Sequence, residues 1–172
     1  MGAHLPAAAQ MLQSKNNYSR YDSLRGSNGK GRQLWNLVHY DITVVPDFSS
    51  KSIAGSCVLQ FTDSGVISLQ LDLQYPMLID SVTVDSKPLP YQRDSNVYWI
   101  NMPTIDLPSK SNPQMKKMMV WFHGKPAEAV RPPWDGGWIW KTDSLGRPWM
   151  SVACQGLGAS VWFPCKDYQG DE

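Results

Sequence analysis

Residues 66–74, VISLQLDLQ, constrain the fold more than any other stretch of this chain. Ile67, Leu69, Leu71 and Leu73 alternate with Ser68, Gln70, Asp72 and Gln74, a period of two that puts one apolar face on a core and one polar face in water. A helix cannot sort residues this way, so the segment is an extended strand and must find partners. Similar short apolar runs recur along the chain, at LVHYDITVV, IAGSCVLQF, LIDSVTV, VYWIN and KMMVWFH. Between them PDFSSKS, DSKP and RDSN carry the Asp, Ser, Asn and Pro that reverse a chain.

The 13 Pro, 13 Gly, 8 Trp and 7 Tyr suit a turn-rich, pleated protein. No run has the length and periodicity of an ordinary helix, and no repeat is present. The fold class is therefore all-β, a β-sandwich-like domain of mostly antiparallel strands over residues 34–172. In the last third, Asp135-Gly136-Gly137 supplies a sharp turn, and a hairpin pairs Trp138–Thr142 with Pro148–Ala153 across DSLGR. Residues 103–114 read as a loop. Residues 1–33 read as a flexible amino-terminal arm, with a tag or signal remnant at its start: Ala7-Ala8-Ala9 has the look of a cleavage-site tail, so a periplasmic or secreted location is expected, with the cytoplasm left open.

At 172 residues the chain can bury about 70% of its unfolded surface in one domain. A net charge of +1 and the lack of a basic stripe exclude a nucleic-acid groove, and no apolar run approaches the roughly 20 residues of a membrane span. Three cysteines are too few for a disulfide framework. Cys154 and Cys165 can be bridged or can be two buried thiols, the second being the expected state.

Chemical motifs fail on spacing. Gly158-Ala159-Ser160 lacks the final Gly of a nucleophile elbow, so Ser160 reads as a strand residue. GSNGKG at 26–31 lacks the spacing of a phosphate loop. His4, His39 and His123 form no zinc set, and acids such as Asp135, Asp143 and Asp167 are expected to serve their own turns. No catalytic residue and no metal ligand is assigned. The cluster Trp134, Trp138, Trp140, Trp149 and Trp162 is either core or a stacking platform for a glycan or protein partner.

Three segments together, HYDITVVPDFSSKSIAGSCVLQF at 39–61, HGKPAEAVRPPWDGGWIW at 123–140 and VACQGLGASVWFPCKDYQGDE at 152–172, resemble the amino-terminal domain of the aminopeptidase N family of zinc metallopeptidases, in its Bacteroidetes-like branch. The resemblance implies a saddle-shaped β-domain packed beside its own catalytic domain. It places zinc in that absent domain, with no cofactor in this chain, since the G-x-M-E-N and H-E-x-x-H motifs do not occur here. Counting back from Pro164-Cys165 aligns Gln155 with the side chain that, by resemblance, accepts the free α-amino terminus of a peptide substrate. A departure is Ala153, where the family carries a second Gln. The implied function is a non-catalytic domain that walls the cavity of a zinc aminopeptidase. The alternatives are a stand-alone β-sandwich binding module using the Trp cluster and a structural spacer.

Overall fold

The computed structural model describes residues 18–103 and 115–171; apart from Pro103, the loop expected at 103–114 lies outside them, as do residues 1–17 of the expected arm. Two long strands, β1 (Trp35–Asp47) and β2 (Ser52–Asp63), form the first hairpin. Its turn is built by Asp47, whose Oδ1 accepts from the Ser49 hydroxyl at 2.6 Å and the Ser49 N–H at 2.9 Å. These bonds from Ser49 and then Ser50 hold the Asp47 carboxyl down to about 2. There follow β3 (Ser68–Asp72), β4 (Leu78–Val84), β5 (Lys87–Pro88), β6 (Tyr91–Asp94), β7 (Val97–Asn101), β8 (Met115–Gly124), β9 (Gly137–Thr142) and β10 (Pro148–Ala153).

All named strand pairs are antiparallel, in three sheets ordered β1-β2-β8-β4-β5, β3-β7-β6 and β9-β10. The domain is thus all-β and sandwich-like, as the alternation requires. In β8 the period of two buries Met118, Val120 and Phe122 and turns Lys117 and Trp121 outward. These three meet Cys57, Leu59 and Phe61 of β2, Leu69 and Leu71 of β3, and Tyr98 and Ile100 of β7 in one cluster. Each fully buried Leu, Met or Phe contributes about 1.5–3 kcal/mol on leaving water. Tyr98 Oη accepts from the Ile79 N–H at 3.3 Å, and the Tyr91 hydroxyl donates to the Asp80 carbonyl at 2.9 Å, tying the three-stranded sheet to β4.

The strand that fixed the fold class departs from its expected orientation on both faces. Leu69, Leu71 and Leu73 are in the core, but Ile67 is exposed, and Gln70, Asp72 and Gln74 are buried rather than wet. A second layer covers them. Parts of residues 20–33, expected within a flexible arm, dock onto the domain: α1 (Arg20–Leu24) is closed by a Ser19–Asp22 capping box, Leu24 is buried, and Arg32 is wholly inaccessible, while residues 26–30 between them are exposed. Arg32 Nη2 donates to Asp72 Oδ1 at 2.6 Å and its Nη1 to the Ser27 carbonyl at 2.6 Å. Gln70 Nε2 donates to the Leu24 carbonyl at 2.9 Å. Polar side chains tolerate this burial because they are given partners. Burial pushes the Asp72 carboxyl up, against the downward pull of the Arg32 guanidinium.

Cys57, Cys154 and Cys165 are all free thiols. A bridge does not form, and Cys154, expected as buried packing, is exposed because it follows the last residue of an edge strand. Burial pushes the Cys57 thiol up to about 12 and the Cys165 thiol well above its ordinary 9.0, and it raises the Tyr40 phenol. In the unfolded chain these groups lose their protons at lower pH than in the fold, so the stability they provide is full below about pH 9 and falls as pH rises toward their folded values. Burial lowers Lys166, which opposes this trend below 10.5, but it is one group against three. We expect the urea midpoint to drop between pH 9 and 11, and a flat midpoint would refute that accounting.

Candidate functional site

The site is built from the carboxyl-terminal third. β9 lies between β10 and residues 127–129: the Trp138 N–H donates to the Ala127 carbonyl at 2.7 Å, and the Ala129 N–H to the Trp138 carbonyl at 3.0 Å. Two aspartates shape the flanking turns, as expected of acids in such positions. Asp135 accepts from the backbone N–H groups of Val130 and Arg131, at 2.7 and 2.9 Å, and Asp143 accepts from those of Leu145 and Arg147, both at 2.9 Å. The expected hairpin is present, in the register Trp138↔Val152 and Thr142↔Pro148.

Gln155 lies in the turn that follows β10, and its side chain is exposed. The turn is pinned from within by Leu157 N–H to the Gln155 carbonyl at 2.9 Å and Gly158 N–H to the Cys154 carbonyl at 3.0 Å. Gly156 and Gly158 stand at φ 75° and 68°, the left-handed region glycine enters without cost, and so turn the chain. From outside, a Cβ placed on Gly136 would lie 3.0 Å from the Gln155 carbonyl oxygen, so the Asp135-Gly136-Gly137 turn seats directly against it. The Gln155 amide makes no side-chain hydrogen bond to a described residue.

Beyond the turn the chain is fastened to β3. Ser160, expected in a strand, sits in a 3-10 turn (Gly158–Val161), fully buried, where its hydroxyl donates to the Leu157 carbonyl at 2.8 Å and accepts from Gln74 Nε2 at 2.9 Å. It is a structural hydroxyl. Cys165 and Asp72 exchange two backbone bonds, at 2.7 and 3.0 Å, and the Asp167 N–H donates to Asp72 Oδ2 at 3.1 Å. Lys166 Nζ donates to the Trp35 carbonyl at 2.6 Å and pairs with Asp171, its ammonium 4.6 Å from the Trp35 ring centre. Burial lowers the Lys166 ammonium against the upward pull of Asp171.

Next to the Gln155 turn is an open cleft of about 520 Å3. Arg25 and Gly26 line one side, Asp167, Tyr168 and Gln169 another, and Cys154, Gly156 and Gly158 the rest. Gln155 is not among its walls. The Tyr21 phenol, raised chiefly by burial, is also pulled down by the Arg25 charge and pushed up by the Asp167 charge, so both charges reach it. Asp167, grouped with Asp135 and Asp143 in the sequence as a turn acid, lines this cleft instead, and the sequence offered no signal for Arg25: the two distant segments meet across β3.

The five tryptophans do not make one platform. Trp138 and Trp140 are core, with ring centres 5.2 Å apart, and Trp162 stacks edge-on against Trp138 and Phe163. Trp134 and Trp149 are exposed, at 80% and 51%. The described residues do not fit a zinc ion. Among the described residues no three of His, Cys, Asp and Glu are grouped to hold a metal, and His123 Nδ1 is 2.6 Å from Asp80 Oδ1 on β4 while His39 lies on β1. Among these residues no helix is long and apolar enough to cross a membrane.

No sequence-family description and no curated protein matches the chain. Solved structures do. An M1 zinc metallopeptidase variant bound to a Tyr-Ser-Ala substrate, from Deinococcus radiodurans, superposes with a TM-score of 0.58 at 16% identity, over 82% of this chain and 31% of that one. Yeast LTA4 hydrolase in complex with bestatin gives 0.59 at 18% identity, over 94% of this chain and 25% of that one. Native leukotriene A4 hydrolase from Saccharomyces cerevisiae gives 0.60 at 17%, over 86% and 23%. The chain spans less than a third of the length of each, and it carries the fold of that portion of these metallopeptidases and hydrolases.

Proposed function

We propose that this chain is the non-catalytic amino-terminal domain of a zinc-dependent aminopeptidase. In this reading the domain walls the substrate cavity of its own catalytic domain, which holds the zinc, and Gln155 binds the free α-amino end of the peptide. The observation that carries it is the match of fold over most of this chain to a minor part of zinc metallopeptidases, together with an unengaged Gln155 amide on a turn pinned from both sides. A side-chain carbonyl suits a terminal ammonium because it accepts hydrogen bonds without a carboxylate's full charge. The Bacteroidetes-like character and the periplasmic or secreted location belong to this proposal too. A zinc site supplies polarisation of the scissile carbonyl and activation of water; this domain's part is to hold the amino end in place.

The test is Gln155→Ala in the intact enzyme. We expect kcat/KM on substrates with a free amino terminus to fall about tenfold or more, the value of one charge-assisted hydrogen bond in a desolvated site, with no loss of folding stability. An unchanged kcat/KM removes Gln155 from substrate binding. Absence of an H-E-x-x-H motif downstream in the same reading frame removes the whole assignment. A binding module for a glycan or protein partner is the second reading, favoured by the exposure of Trp134 and Trp149, though the burial of Trp138 and Trp140 divides the surface it would need.

A further inference from the structure

The cleft behind the Gln155 turn carries two opposite charges, Arg25 and Asp167, that form no ion pair with a described residue. Arg25 follows α1 and is its C-cap residue; only its backbone is used, its N–H donating to the Tyr21 carbonyl at 3.1 Å. Asp167 likewise spends its backbone N–H on Asp72, while its Oδ1 faces Gly158, 3.5 Å from where a Cβ there would sit. Neither the guanidinium nor the carboxylate makes a hydrogen bond or ion pair with a described residue, or with the other. The ion pairs that Arg20, Arg32, Lys51, Lys116, Arg147 and Lys166 form with carboxylates all close within 3 Å, whereas Arg25 and Asp167 line one cleft and form none. Between them the floor is glycine, at Gly156 and Gly158, with open space over Gly156. Their elements are nonetheless fixed: α1 by its capping box and Arg20–Asp94, residues 165–167 by the bonds to Asp72.

A cation and an anion carried on anchored backbone elements, lining one open cleft without closing on each other, complement a ligand carrying both charges in reverse. We propose that this cleft binds a small zwitterion, a free α-amino acid, with its carboxylate on the Arg25 guanidinium and its ammonium on the Asp167 carboxylate. A guanidinium takes a carboxylate with two parallel hydrogen bonds and so orients it. Tyr168 and Gln169 on the same wall meet the amino-acid side chain. The site is separate from the role given to Gln155, whose side chain does not line the cleft.

The test is a nuclear magnetic resonance titration of the isotope-labelled 172-residue chain with L-alanine, N-acetyl-L-alanine and L-alaninamide. We expect saturable shifts of the Gly26, Gly156 and Gly158 amides with L-alanine. Blocking either end of the ligand, or introducing Arg25→Met or Asp167→Asn, should weaken binding about tenfold or more, one charge-assisted contact being lost in each case. The variants should keep the wild-type unfolding midpoint, because both side chains are unengaged in the fold, and Gln155→Ala should bind L-alanine as the wild type does. Failure to saturate, equal binding of the blocked ligands, or retention of binding in the Arg25→Met, Asp167→Asn double variant overturns the proposal. Loss of binding in Gln155→Ala overturns it as well, by moving the ligand to the other site, whereas loss of peptidase activity alone in that variant leaves the cleft standing.

Discussion

Arg32→Ala is expected to lower the unfolding free energy of this domain by about 3–5 kcal/mol, the cost of leaving a buried carboxylate without its cation. Arg32 and Asp72 are almost inaccessible, at 0% and 3%, and Asp72 also receives Gln70 Nε2 at 3.3 Å and the Asp167 N–H at 3.1 Å. Removing the guanidinium therefore exposes three chain segments to one unpaired charge: residues 27–32, β3, and residues 165–167. Asp72→Ala should be as damaging, since it strands a guanidinium whose Nε already lacks a partner among the described residues. The double replacement Arg32→Met, Asp72→Leu separates pairing from packing. It should recover most of the loss, because an apolar pair of similar volume has no desolvation penalty. Urea unfolding of the four proteins measures all of this. A loss under 1 kcal/mol for either single variant would mean that the pair is hydrated and the second layer loose.

Gly137→Ala is expected to cost about 2–4 kcal/mol, at the high end for a single added methyl, because nothing around it can yield. A Cβ at Gly137 would lie 2.5 Å from the Ala129 nitrogen, 2.7 Å from the Ala127 oxygen and 2.8 Å from the Glu128 carbonyl carbon, all backbone. Its φ of 154° adds strain for any L side chain. The insertion would prise residues 127–129 from β9 and break the bonds Trp138 makes to both Ala127 and Ala129. Since the adjoining Gly136 seats against the Gln155 carbonyl, the disturbance should reach the turn. Loss of amide exchange protection at Trp138 and Ala129 would show the mechanism; a variant that unfolds at the wild-type urea midpoint would show that the strand is free to move aside.

Both effects were invisible in the sequence, for related reasons. The Gly-Gly pair after Asp135 is legible as a turn, and the hairpin from Trp138 to Ala153 follows from its apolar runs and the DSLGR reversal. That one of those glycines is crowded by three backbone atoms is a fact about residues eight to ten positions upstream running parallel to β9. Arg32 lies in a glycine-rich, polar stretch that has every local mark of an arm, and local composition cannot report that a partner forty residues away is waiting inside a strand.

What the sequence determined by itself was the strand content and the pairing of neighbours. A side-chain period of two is a local property, so β1 with β2 and β9 with β10 could be read from alternation and turn residues. Gln155 could be singled out only by resemblance, and the structure adds where it stands, on a turn pinned by its own backbone and by Gly136. The tertiary structure decided which faces are inside. Alternation says that the two faces of a strand differ, not that the polar one is wet: Gln70, Asp72 and Gln74 are buried because residues 20–33 and 160–167 bring hydrogen-bonding groups to them. The same crossing of distant segments creates the cleft of Arg25 and Asp167. Burial of polar groups depends on partners, and partners are supplied in three dimensions, across separations that a one-dimensional pattern does not encode.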